Sequence, residues 1–174
     1  MGDQRRSPRR LVLLRHAKAE KEGPSDHARE LAKAGRHDAS EVGRRLHTAG
    51  LHPDLALVSP STRTRQTWQL VAAALEPSAE ERFEPAIYDN EVEDLLELVR
   101  AVPDDVATLL LVGHNPSIEE LASRLDDGSG DPSARQAMAA GFSTSAFAVL
   151  SHGGSWRLVD QGRLRVESFV PRQR

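Results

Sequence analysis

Three short apolar runs constrain this chain more than any other feature: Leu11-Val12-Leu13-Leu14, Leu55-Ala56-Leu57-Val58 and Leu109-Leu110-Leu111-Val112. A continuous run of this length bounded by polar residues reads as a strand buried on both faces, the type found in parallel sheets. Each run is followed at once by chemistry. Arg15-His16 follows the first, Ser59-Pro60-Ser61-Thr62-Arg63 the second, and Gly113-His114-Asn115 the third. In open α/β sheets the edge past the strand C-termini is where ligands bind. Two guanidinium groups and two imidazoles directed at one crevice suggest a site that handles phosphate.

The segments between these strands read as helices. Ala39, Val42, Leu46 and Ala49 form one apolar face, with Gly50 placed to stop it. After a strand from Asp54 to Val58, Ser59 is an expected N-cap with Pro60 at the first helical position. That helix runs through Trp68, Val71 and Leu75 to a stop at Glu76-Pro77-Ser78. A short extended piece is expected from Phe83 to Ile87. Val92, Leu95, Leu96, Val99 and Val102 then give the clearest helical periodicity, ended by Pro103. Thr108 to Val112 is the third strand, with Asn115 as N-cap and Pro116 opening a helix whose apolar face is Ile118, Leu121, Ala122 and Leu125. Lys18 to Arg36 reads as a long loop over the first strand end, and Asp126 to Ser133 as a flexible loop. Strands close the chain at Ser145 to Leu150, Ser155 to Val159 and Leu164 to Val170, with turns at Gly153-Gly154 and Gln161-Gly162. This order predicts one α/β sheet with a late antiparallel addition.

Length and composition narrow the rest. A chain of 174 residues with 39% hydrophobic content fits one domain with a sizeable core. The net charge of -3 gives no global pull toward nucleic acid or anionic lipid. With no cysteine, thiolate metal sites and disulfides are excluded, which suits a cytoplasmic location. No run approaches the ~20 apolar residues that span a bilayer, so neither a membrane nor a nucleic acid is an expected partner. Residues 1–10, with Arg5, Arg6, Arg9 and Arg10, read as a solvated basic tail, and residues 11–171 as one domain.

The chemistry follows from the residue types. Transfer of a phosphoryl group needs its oxygens held and a nucleophile in line with the leaving group. Arg15 and Arg63 suit the holding role, because a planar guanidinium makes paired hydrogen bonds and stays charged. Arg63 would also lie in the first turn of its helix, where backbone N–H groups favour an anion. His114 and Asn115 are further phosphate contacts, and His114 is expected as imidazolium beside phosphate, since its unperturbed pKa is ~6.5. His16 is the candidate nucleophile: a neutral ring nitrogen attacks phosphorus while the other N–H rests on a backbone carbonyl. The neighbouring arginines disfavour imidazolium at His16 and supply the positive charge, so no metal or other cofactor is expected. Taken one at a time, each of these residues has a plain structural reading, as a surface cation or a satisfied histidine. Three strands delivering them to one edge is what outweighs it.

At these residues the chain resembles the histidine phosphatase, or phosphoglycerate mutase-like, superfamily. Arg15-His16-Ala17 is similar to its Arg-His-Gly signature. Ser59-Pro60-Ser61-Thr62-Arg63-Thr64-Arg65-Gln66-Thr67 is similar to its Ser-Pro-x-x-Arg-x-x-Gln-Thr segment, and Gly113-His114-Asn115-Pro116 to its second-histidine motif. Ala17, Lys18, Ala19 and the pattern Asp26-x-x-Arg29-x-Leu31-x-x-x-Gly35 resemble the small SixA-type phosphohistidine phosphatases most. The resemblance implies a three-layer α/β/α fold with a mixed, mostly parallel central sheet. It implies His16 as nucleophile, a phosphate pocket of Arg15, Arg63 and His114, and a phosphohistidine-bearing protein as substrate. Many members carry an acid that protonates the leaving alcohol. Here Asp89, Glu91 and Glu93 are the carboxylates in reach; Glu91 is the candidate acid, though a helix N-terminal position of local value explains it better. SixA-like members generally lack the acid, which biases such a site toward N–P bonds or activated esters. The alternatives are a small-molecule phosphomonoesterase of the same superfamily and a phosphate- or phosphoprotein-binding module without turnover. His27, beside Asp26, could touch substrate, while Asp26 and Arg29 are expected to tie the loop down; His37, His47 and His52 read as surface positions.

Overall fold

The computed structural model describes residues 7–173. In chain order it places β1 (Arg9–Arg15), α1 (Lys33–Thr48), β2 (Leu55–Val58), α2 (Thr62–Ala72), β3 (Glu80–Phe83), α3 (Pro85–Asp89), α4 (Val92–Arg100), β4 (Thr108–Gly113), α5 (Ser117–Leu125), α6 (Pro132–Ala139), β5 (Phe147–His152) and β6 (Arg165–Val170). The strands form one sheet in the order β3-β2-β4-β1-β5-β6. The four strands from β3 to β1 are parallel, and β5 and β6 add on antiparallel. No helix among the described residues is long and apolar enough to cross a membrane.

The continuous apolar runs are explained by covering on both faces. Side chains alternate across a strand. Leu11, Leu13, Leu55, Leu57, Leu109 and Leu111 pack one way, against Ile87, Leu95, Val99, Ile118, Leu121 and Leu125 from α3, α4 and α5. Val12, Leu14, Ala56, Val58, Leu110 and Val112 pack the other way, against Val42, Leu46, Trp68, Val71 and Leu75 around α1 and α2. Each fully buried leucine contributes roughly 1.5–3 kcal/mol, so the central sheet is also the main source of stability.

Several local expectations change. Arg5 and Arg6 lie outside the described residues, but Arg9 and Arg10 belong to β1. Arg9 donates to the Gly154 carbonyl at 2.6 Å and Arg10 pairs with Glu167 at 3.0 Å. α2 starts at Thr62 after Ser61, two residues later than the Ser59 N-cap expected, because the Ser59 N–H still pairs with Val112 in sheet fashion at 3.1 Å. Likewise Pro116, not Asn115, is the N-cap of α5. The extended piece from Phe83 to Ile87 stops at Phe83, since Pro85 opens α3 at a position that needs no N–H. The middle C-terminal strand is a 3₁₀ turn at Trp156–Leu158. Trp156 and Val159 are buried while Leu158 is 67% exposed, a spacing of three and not two. A further helix, α6, starts inside the stretch expected to be a flexible loop. Asp131 caps it through the Ala134 N–H at 2.7 Å with Pro132 following, and the Gly/Ser-rich stretch before it hid that signal.

The segment after His16 is more ordered than a loop reading suggests. Ala19 and Leu31 form an isolated bridge, and Leu31 is buried with Ala17 and Ala39. α1 begins at Lys33 and brings Gly35 against the Lys18 backbone. A Cβ there would lie 2.0 Å from the Lys18 carbonyl oxygen, so no side chain fits.

Candidate active site

β1 ends at Arg15, and the next two residues are clamped from three sides. The His16 N–H donates to the Gly113 carbonyl at the end of β4, at 3.0 Å. The Ser145 N–H, just before β5, donates to the carbonyls of Arg15 and His16 at 3.2 and 3.1 Å. Ser145 does this from a left-handed conformation, φ 67°, uncommon for a residue with a side chain. The Ala17 N–H donates to Thr67 Oγ1 on α2 at 3.0 Å, while the Thr67 hydroxyl donates to the Arg63 carbonyl at 2.7 Å. Gln66 accepts the Leu31 N–H at 2.8 Å. The Gln66-Thr67 pair therefore ties α2 to both ends of the loop that follows His16.

This frame brings Arg15, His16, Arg63, His114 and Asn115 into one cleft of about 530 Å³, with Asp26, Arg29, Tyr88, Asp89 and Asn90 completing its walls. The His16 and His114 rings are 5.3 Å apart, centroid to centroid. The His16 Nδ1–H donates to the Ala17 carbonyl at 2.7 Å, which leaves Nε2 with its lone pair. Arg63 Nη2 lies 3.3 Å from His114 Nδ1. A guanidinium only donates, so Nδ1 is unprotonated and the Nε2–H donates to Ser59 Oγ at 2.7 Å. Arg15 spends one donor on the Phe142 carbonyl at 2.7 Å, and Arg63 one on the Asp26 carbonyl at 2.9 Å. The Nε–H groups of both arginines are buried without a protein partner. Buried charged donors left unpaired are costly unless a ligand completes them.

Asn115 does different work from the phosphate contact expected of it. Its amide donates to Glu119 Oε2 and to the Phe142 carbonyl, both at 3.1 Å, and the buried Oδ1 has no partner. Reversing the amide would set its oxygen against two acceptors, so this orientation is required. Its hydrogens are committed, and what it offers the cleft is an acceptor.

The electrostatics hold both histidines neutral. Burial pushes His16 down to about 4; Arg63, Arg15 and Arg29 add to this, and the Ala17 carbonyl opposes it. Burial, then His16 and Arg63, push His114 to about 3. The imidazolium expected at His114 is thus not favoured by the protein's own groups, because burial and the neighbouring cations outweigh Asp26. Asp26 itself is held at about 2, first by the Tyr88 hydroxyl at 2.8 Å, then by Arg29 at 2.9 Å and by Arg63. Sequence reasoning assigned Asp26 and Arg29 to the loop alone. It missed that Asp26 Oδ2 also meets Arg63 Nη2 at 3.3 Å, and it missed Tyr88 and Asn90 entirely, since no local pattern marks them.

Apart from Asp89, the remaining candidates are not among the residues that line the cleft. Glu91 is the exposed N-cap of α4 and is not one of the lining residues. Glu93 pairs with Arg124 at 2.7 Å. Only Asp89 of the three carboxylates reaches the cleft wall. His27 packs edge-on against Tyr88 with centroids 4.9 Å apart. His47 and His52 pair with each other at 5.3 Å, and His37 lines a separate cavity. A cleft with two arginines whose Nε–H groups are buried and unpaired, beside an imidazole nitrogen that keeps its lone pair, can hold a tetrahedral anion and attack it.

Comparison with known proteins agrees with that chemistry. Residues 11–164 match the model of the histidine phosphatase superfamily, branch 1. An uncharacterised protein of Mycobacterium tuberculosis is 36% identical over 162 residues, covering 91% of this chain and all of the relative. A phosphohistidine phosphatase SixA homologue of Haemophilus influenzae is 31% identical over 126 residues, covering 66% of this chain and 76% of the relative. The solved structure of a candidate phosphohistidine phosphatase SixA from Nakamurella multipartitia superposes with a TM-score of 0.86 at 31% identity, covering 98% of this chain and 100% of that one. With the three apolar runs and all three strand-end motifs inside the matched span, this chain belongs to the histidine phosphatase superfamily.

Proposed function

We propose that the protein is a metal-independent phosphatase that hydrolyses phosphohistidine, or a similarly labile phosphoryl group, on proteins through a covalent phospho-His16 intermediate. The observation that carries this reading is the pair of buried, unpaired Nε–H groups of Arg15 and Arg63 beside an imidazole whose Nε2 is free. The two guanidinium groups hold the non-bridging oxygens. His16 Nε2 attacks phosphorus, and its Nδ1–H stays on the Ala17 carbonyl, stabilising the charge that develops on the ring. Water then displaces the phosphoryl group, and His16 leaves as the neutral imidazole it was. An anion between the arginines also favours the protonated form of His114, which would add a third donor.

The proton inventory supports the substrate class. Asp26 is ionised, and its neighbour Tyr88 is pushed above the usual phenol range by that carboxylate. Neither of these two suits donation to an alkoxide, and Asp89, the one other carboxylate in the wall, is exposed to solvent; an N–P bond releases an imidazole that needs no fresh proton when its other nitrogen is already protonated. A domain spanning residues 11–171 and a cytoplasmic site of action, in keeping with a chain that has no cysteine, go with this reading.

The test is twofold. Brief reaction with a radiolabelled phosphohistidine protein should leave label on the wild-type chain and none on His16→Ala. Turnover across phosphohistidine, phosphoaspartate, sugar phosphate and aryl phosphate substrates should favour the N–P bond and survive a chelator. Comparable turnover of a simple alkyl phosphate would sink the substrate assignment.

A further inference from the structure

Transfer from phosphohistidine to His16 moves phosphorus from one imidazole to another. The nucleophile's half of this exchange is visible: Nδ1–H rests on the Ala17 carbonyl and Nε2 is free. The leaving ring has the matching need. It departs as neutral imidazole only if its nitrogen remote from phosphorus carries a proton, and that N–H requires an acceptor once it enters the cleft. In-line attack directs the leaving ring away from His16, toward the open mouth.

Tyr88 stands at that mouth, half-buried, in the wall of the cleft. Its ring meets His114 edge-on at 5.7 Å and is braced on its other contact by His27 at 4.9 Å. Its hydroxyl donates to Asp26 Oδ2 at 2.8 Å, and Arg29 and Arg63 hold that carboxylate in place. The phenol hydrogen is therefore committed, and what Oη still offers is lone pairs, made better acceptors by donation to an anion. We propose that Tyr88 forms the subsite for the leaving imidazole, its ring packing against the substrate ring and its Oη accepting the N–H of the nitrogen that does not carry phosphorus. This rests on the phosphohistidine reading above and assigns a residue for which the motifs give no role.

The step balances without a proton transfer. The His16 Nε2 lone pair forms the new N–P bond while the substrate N–P bond breaks and returns its electron pair to the leaving nitrogen. The departing ring keeps its remote proton on Tyr88 Oη, and Tyr88 keeps its own on Asp26. Tyr88 Oη does for the leaving ring what the Ala17 carbonyl does for His16.

Tyr88→Phe keeps the ring and removes the acceptor. Steady-state kinetics should show kcat/KM on a phosphohistidine peptide falling at least about tenfold, while p-nitrophenyl phosphate, whose leaving group has no N–H, changes by less than about twofold. The aryl phosphate also reports that the variant is folded. Equal losses on both substrates overturn the proposal and mark Tyr88 as a prop for Asp26 and Arg63. Asp89→Asn, on the same wall, should leave the ratio of the two substrates unchanged; a selective loss there with none in Tyr88→Phe moves the acceptor role to Asp89 and overturns it as well. A wild-type protein that cleaves the aryl ester but ignores the peptide sinks the phosphohistidine reading itself. Peptide turnover with an unselective Tyr88→Phe loses only the subsite.

Discussion

The cavity between α1 and the C-terminal segment, about 780 Å³, is larger than the cleft around His16, about 530 Å³. Both are lined by charged groups. In the larger one the charges cancel in place: Arg172 lies 2.7 Å from Asp38, and Arg45 lies 3.3 Å from Glu41. In the cleft Arg15, Arg29 and Arg63 face Asp26 and Asp89, Asp26 is shared between two of the arginines, and Arg15 has no ion-pair partner among the described residues. The comparison teaches that uncancelled, desolvated charge marks an anion site and that volume does not. The two regions share a wall at Ser145. Ser145 is one of the residues lining the larger cavity, and its N–H holds the carbonyls of Arg15 and His16.

The sharpest way to break this comparison is to remove the nucleophile. His16→Ala should cost about 10⁴-fold or more in kcat with the fold intact, measured by turnover and by circular dichroism. Arg63→Ala should cost about 10²–10³-fold, because it deletes a preorganised donor from a dry site; inorganic phosphate should also bind more weakly by calorimetry. Unchanged phosphate affinity would remove Arg63 from the pocket.

The pH dependence separates buried neutral histidines from ordinary ones. With His16 at about 4, the acid limb of kcat/KM should lie near 4 and not near 6.5. Stability carries the same signature. Both folded pKa values are depressed, so between pH 6.5 and about 4 the unfolded chain binds protons that the folded chain refuses. Stability is therefore full above about pH 6.5 and falls below it, by up to about 1.4 kcal/mol per pH unit for each histidine. Urea melts at pH 7 and pH 5 that coincide would contradict the burial argument.

The smallest effects belong to the paired charges. Asp26→Asn loosens Arg63 and should lower kcat/KM by no more than about fivefold, the equivalent of about 1 kcal/mol, since Asp26 is largely exposed. Arg172→Ala breaks the pair with Asp38 in the larger cavity. It should leave kcat/KM within about twofold while lowering stability by up to about 1 kcal/mol. A large activity loss there would mean that the two regions are coupled through Ser145.

Much of this architecture is legible locally. Leu11 to Leu14, Leu55 to Val58 and Leu109 to Val112 announce a doubly covered sheet because each residue faces one of two cores. Boundaries were less legible wherever a tertiary contact overrode a local signal. Ser59 looks like an N-cap, yet it stays extended because Val112 binds its N–H and His114 its hydroxyl. Trp156 and Val159 look like strand residues, yet the Trp156 indole is held by the Val106 carbonyl at 2.9 Å in a 3₁₀ turn.

The chain by itself determined which side chains stand at the strand ends, since apolar runs and the residues following them are contiguous in sequence. Only the tertiary structure decided which of them are neutral, which donors remain unpaired, and that Asp26 and Tyr88 join them. Those properties depend on burial and on distances of a few ångströms between residues far apart in the chain, such as Arg15 and Phe142, 127 positions apart. No local pattern encodes such distances, because the field at an imidazole is a sum over neighbours that the fold alone assembles.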